Sequence, residues 1–63
     1  MIRNLNVDYR SDGKWEVKFE GDPHPISIVR TQNQAIAYAK QMAENEKCSV
    51  IIHDEKGKIQ EKM

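Results

Sequence analysis

Leu5, Val7 and Tyr9 alternate with Asn6, Asp8 and Arg10, the period of a strand with one face buried. Ser11-Asp12-Gly13 follows with turn chemistry, and Gly13 suits a positive φ. Trp15, Val17 and Phe19 then alternate with Lys14, Glu16, Lys18 and Glu20. Two alternating runs joined by Asp-Gly predict a β-hairpin with one apolar and one charged face. The segment Gly21-Asp22-Pro23-His24-Pro25 breaks the pattern, because two prolines and a glycine do not sustain a central strand. A third strand is expected over 26–30, with Ile26 and Ile28 in phase.

Thr31-Gln32-Asn33-Gln34 matches a capping box, with the Thr31 hydroxyl accepting from the backbone N–H of Gln34. The helix it opens is expected to run to about Asn45 or Glu46. Ala35, Ile36, Ala39, Met42 and Ala43 form its apolar stripe, and Tyr38 borders it. Ala37, Lys40, Gln41 and Glu44 face outward. With no glycine at its end, Asn45 is the expected left-handed residue. A fourth strand is expected over 48–53, with Cys48, Val50 and Ile52 on one face. Asp54-Glu55-Lys56-Gly57 is a turn with Gly57 placed for a bulge. Lys58-Ile59-Gln60-Glu61 closes the series as a short charged strand pointing Ile59 inward.

The order β-β-β-α-β-β predicts an α+β fold: an antiparallel sheet of four to five strands with one amphipathic helix on one face. The phases assign a core of Leu5, Val7, Trp15, Val17, Phe19, Ile28, Ile36, Ala39, Ala43, Val50, Ile52 and Ile59. At 63 residues, positions 1–63 read as a single domain of modest stability. No linker, internal repeat or low-complexity segment interrupts it.

At this point the residues carry a resemblance. Asp12-Gly13-Lys14-Trp15-Glu16-Val17-Lys18 is followed by Thr31, Gln34-Ala35-Ile36, Ala39 and Ala43-Glu44-Asn45. Val50-Ile51-Ile52-His53 and Gly57-Lys58-Ile59 complete the series. In that order and spacing, from about Val7 to Glu61, the chain resembles the small prokaryotic family called "domain of unknown function 2188". The resemblance supports the fold and implies no catalytic residue. The Pro23-His24-Pro25 loop departs from the family pattern.

Charge and chemistry narrow the function classes. Lys plus Arg, 10 residues, equals Asp plus Glu, also 10, so the formal net charge is zero. A neutral domain lacks the long-range attraction that draws basic proteins to nucleic acid or anionic membrane. No run reaches spanning length, and no signal-peptide h-region is visible at the N-terminus. The lone Cys48 makes no internal disulfide. A cytoplasmic location is the expectation.

Trp15, among Lys14, Lys18 and Arg30, invites a base-stacking reading, but its phase with Val17 and Phe19 favours the core. His24 and His53 are the only imidazoles, with Asp22 and Asp54 near in sequence. Their spacing matches neither a metal set nor a nucleophile with its base, so surface positions are expected. Cys48 and His53 fall on opposite faces of one strand by parity, and Cys48 reads as a small apolar filler. Gly13, Gly21 and Gly57 are too scattered for a phosphate loop. The alternating Lys14, Glu16, Lys18 and Glu20 read as a solvated face.

No catalytic, cofactor-binding or metal-binding residue is therefore assigned. The expected function is a non-enzymatic interaction module with an unknown protein partner or a second copy, engaged through an edge strand or residual apolar surface. The alternative is a nucleic-acid-binding module using the open sheet face, a shape similar to the arm-binding domains of tyrosine-type integrases. Neutral charge disfavours it.

Overall fold

The computed structural model describes residues 4–63. Five strands and one helix follow in the order β1 (Leu5–Tyr9), β2 (Trp15–Phe19), β3 (Ser27–Val29), α1 (Gln32–Glu46), β4 (Val50–His53) and β5 (Ile59–Lys62). They build one sheet in the spatial order β3-β2-β1-β4-β5. The expected α+β architecture is present, but the sheet is mixed: β1 pairs parallel to β4, and every other pairing is antiparallel.

The parallel pair follows from the helix. Fifteen residues at 1.5 Å per residue carry the chain back about 22 Å, enough to span the five-residue strands β1 and β2. The strand after the helix thus runs in the sense of the strand before it. β3 is antiparallel to β2, as β1 is, so β4 arrives parallel to both. It docks on β1, whose second edge is otherwise unpaired.

Both hairpins turn by the same device. In the first, the Arg10 N–H donates to the Lys14 carbonyl at 2.7 Å, and Gly13 takes a φ of 83°. The Asp12 carboxylate accepts from the Lys14 N–H at 3.0 Å. In the second, the Asp54 N–H donates to the Lys58 carbonyl at 2.8 Å, Gly57 again has φ 83°, and the Asp54 carboxylate accepts from the Lys56 and Lys58 N–H groups. A side chain on glycine would be strained at that φ, which is why both turns carry one.

Thr31 is the N-cap, extended at φ −126° and ψ 155°, with its hydroxyl accepting from the Gln34 N–H at 3.2 Å. At the far end the expected left-handed residue is displaced. Asn45 stays helical and Lys47 takes φ 56° and ψ 48°. The N–H groups of Lys47 and Cys48 both return to the Ala43 carbonyl. The helix ends at Glu46, within its expected extent, and the left-handed cap falls two residues beyond Asn45.

The core comprises Leu5, Val7, Trp15, Val17, Ala35, Ala39, Ala43, Val50 and Ile52. Alanines at i, i+4 and i+8 give the helix a flat contact stripe, and small side chains let it lie close to the sheet. Phe19, Ile36, Tyr38, Met42 and Cys48 are half-buried around this centre.

Of the assigned core residues, Phe19 and Ile36 only flank this centre, and Ile28 and Ile59 lie away from it. Ile28 is 46% exposed because the β2–β3 register sets it opposite Glu16 on the charged face, while Val29 pairs with Trp15 and packs inward. Ile26 packs on the core from ahead of the strand rather than in phase with Ile28. Ile59 is 57% exposed. A register irregularity between Ile52 and His53 sets Ile59 opposite His53, on the helix-free face.

Candidate interaction face

Helix α1 covers one face of the sheet, so the side chains alternating with the core line the other. Cross-strand register sorts them into rows. Arg10 lies beside Lys14, Asp8 beside Glu16, Asn6 beside Lys18, and Asn4 beside Glu20. β4 extends two of these rows, with Ile51 next to Asn6 and His53 beyond Asp8. β5 adds Lys62 opposite Ile51 and Ile59 opposite His53. Ile28 completes the Asp8–Glu16 row at the β3 edge.

Asp8 and Glu16 are carboxylates directly opposed across an antiparallel pair, an arrangement that costs energy without cations nearby. Cations and a hydrogen-bond donor surround them. The Arg10 guanidinium reaches the Glu16 carboxylate at 3.2 Å and that of Asp12 at 3.1 Å, and Lys18 Nζ lies 4.0 Å from Glu16. His53 Nδ1 is 3.0 Å from the Asp8 carboxylate and 3.2 Å from the Val7 carbonyl. Two oxygens face that nitrogen, so Nδ1 is the protonated position, and it donates whether the ring is neutral or charged. One ladder edge row thus joins three strands. Asn4 closes the far end by donating to Glu20 at 3.3 Å.

The other residues weighed for chemistry are dispersed. Trp15 is 6% exposed and packs edge-on to Tyr9, with ring centroids 5.0 Å apart and an interplanar angle of 60°. At that burial the ring offers no open platform for a base. His24 sits in an exposed turn, where its N–H donates to Asp22 at 3.1 Å. Cys48 precedes β4 instead of starting it and packs half-buried at the helix end, while His53 ends the same strand on the open face. The Asp8–His53 contact was hidden from sequence reasoning, which set His53 beside Asp54. Only the parallel β1–β4 pairing brings it to Asp8.

At the end of the sheet where α1 begins, a shallow hollow lies among Trp15, Gln32, Asp54, Glu55, Lys56 and Gln60. Gln32 spans its wall, donating through Nε2 to the His53 carbonyl at 3.2 Å and to Gln60 Oε1 at 3.0 Å. These bonds tie the helix start to the second hairpin. Among the described residues no group of three His, Cys, Asp or Glu side chains is placed to hold a metal ion, and no helix is long and apolar enough to cross a membrane.

Neither the curated proteins nor the solved structures give a significant match. A family model does, over residues 6–63, spanning β1 from Asn6 onward, the other four strands, the helix and every row of the open face but its Asn4 end. The chain belongs to the family of uncharacterized proteins conserved in bacteria (DUF2188).

Proposed function

We propose that the chain is a non-enzymatic protein-interaction module of the bacterial cytoplasm, working through the helix-free face of its sheet. The observation that carries this reading is a five-stranded sheet packed on one side only, whose other side holds half-buried, mutually paired polar groups flanked by exposed Ile28 and Ile59. Such a surface has a fixed shape and a fixed charge pattern, which is what selective docking requires. Its cations do not form a phosphate-tracking stripe, because Arg10 and Lys18 each already lie against Glu16. That favours a protein over nucleic acid as the partner.

The test is capture on the tagged protein from bacterial cytosol, with and without nuclease. Specific partners that survive nuclease and are lost from a variant carrying Asp8→Lys and Ile28→Glu support the reading. Capture that nuclease abolishes assigns the face to nucleic acid instead.

A further inference from the structure

The charge rows of the open face alternate in sign along the strands. Arg10 and Lys14 form a cationic band, and Asp8 and Glu16 an anionic one. Lys18 with Lys62 forms a second cationic band, and Glu20 the last, anionic one. Four bands in the order plus, minus, plus, minus have a geometric property. The pattern changes sign when rotated by half a turn about its midpoint, between Glu16 and Lys18. An odd number of bands would map each sign onto itself.

We infer that this face is self-complementary and pairs two copies of the chain, sheet on sheet. The two-fold axis lies between the sheets, perpendicular to the strands, and crosses β2 midway between Glu16 and Lys18. It sets Glu16 over the partner's Lys18 and Lys14 over the partner's Glu20, each contact made twice by symmetry. β1 follows the same rule, with Arg10 and Asp8 over the uncharged Asn4 and Asn6, so no like charges meet there. The alternative axis, parallel to the strands, lays every band on its own sign and is excluded by repulsion. Face-to-face sheets cross at about 30°, which moves the outer Lys14–Glu20 contacts by only a few ångström, within reach of such long side chains.

Size sets the strength. The face lies within the two larger extents of the molecule, 31 × 22 Å. That bounds it at roughly 700 Å² per copy, somewhat under the ~800 Å² of a standard interface. A weak, salt-sensitive dimer is expected, with dissociation in the micromolar range or above, because much of the attraction is between solvated charges.

This inference rests on the interaction-module reading and names its partner as a second copy. Its test is sedimentation equilibrium of the purified chain at 50 mM and 500 mM salt, with three variants. Lys18→Glu alone and Glu16→Lys alone each place like charges face to face, and each weakens self-association about tenfold or more. An equimolar mixture of the two single variants regains association, because each supplies the charge the other lacks. The chain carrying both substitutions also dimerises, since exchanging the signs preserves the antisymmetry, and it controls for any loss of folding in the singles. Higher salt weakens the wild type. A monomer at all concentrations overturns the inference, as does a dimer indifferent to these charges. The module reading survives either result if nuclease-resistant capture of another protein still requires the open face, and it fails separately if capture depends on nucleic acid.

Discussion

The Asp8 carboxylate accepts from His53 Nδ1 at 3.0 Å across two strands that run in parallel. The same ring nitrogen lies 3.2 Å from the carbonyl of Val7, the residue before Asp8. His53 is therefore held at two points of β1, and the contact pins the end of β4 where the ladder stops. It joins the N-terminal hairpin to the C-terminal one on the side that the helix does not cover.

The aromatic core is the most sensitive point of the fold. Trp15→Ala removes a 6% exposed indole packed on Tyr9 and opposite Val29, and should cost about 3–5 kcal/mol. For so short a chain this is most of the total stability. Urea unfolding followed by far-ultraviolet circular dichroism measures it, and a loss under 1 kcal/mol contradicts the packing described.

At the start of the helix, Thr31→Ala leaves the Gln34 N–H without its cap and should destabilise by about 0.5–2 kcal/mol, whereas Thr31→Ser should change little. Equal losses for both replacements would assign the effect to the methyl group rather than to the hydroxyl.

The opposite sign is expected at the helix end. Lys47 holds a left-handed conformation that glycine adopts freely, so Lys47→Gly should raise stability by about 0.5–1 kcal/mol. Its exposed side chain makes the exchange clean. A thermal midpoint that falls would show that Lys47 contributes contacts outweighing its backbone strain.

Acid acts on the two turns. Asp12 is held below its ordinary pKa chiefly by the Lys14 N–H, and Asp54 chiefly by the Lys58 N–H. Desolvation opposes each, and the Arg10 hydrogen bond to Asp12, the Lys56 N–H to Asp54 and the neighbouring cations add smaller lowering effects. A lowered folded-state pKa gives stability that is complete above the ordinary carboxylate value and fades as pH falls through it toward the lowered one. Stability between pH 6 and pH 2 should therefore fall less steeply in the Asp12→Asn, Asp54→Asn double variant than in the wild type. Both carboxylates are open to water, so the difference is small, and parallel curves would rule the effect out.

Against nucleic acid, oligonucleotide titrations should give nothing tighter than the ordinary non-specific range, roughly 10⁻⁴–10⁻⁶ M at physiological salt. Tight binding with a shallow salt slope would require a stacking surface and a displaced Trp15.

What the chain reveals on first reading is what short stretches decide. Both hairpins, the Thr31 cap and the alanine stripe depend on neighbours within a few residues, and all are legible. The misreadings arise where distant partners decide. Ile28 and Val29 are equally apolar, and only register against Glu16 and Trp15 selects which one turns inward. Ile59 faces out because of an irregularity opposite Ile52 and His53 that no local pattern marks. The parallel sense of β4 comes from the length of the helix. The alternating charges of β2 were visible from the start, but their partner bands on β1 appear only with the register, and with them the antisymmetry of the face.

The place of β1 in the sheet governs how the molecule is made. The strand closest to the start of the described chain is central, and its second neighbour, β4, is contributed by residues up to 46 positions later. During synthesis the first hairpin and the helix are complete while one flank of β1 still offers unpaired amides and carbonyls. Closure must wait for Val50–His53 to emerge, a long-range step that sets a slow folding rate for so short a chain. Chains interrupted before Val50 keep that flank open as a template for neighbouring chains, so premature termination in this protein yields a species prone to aggregate.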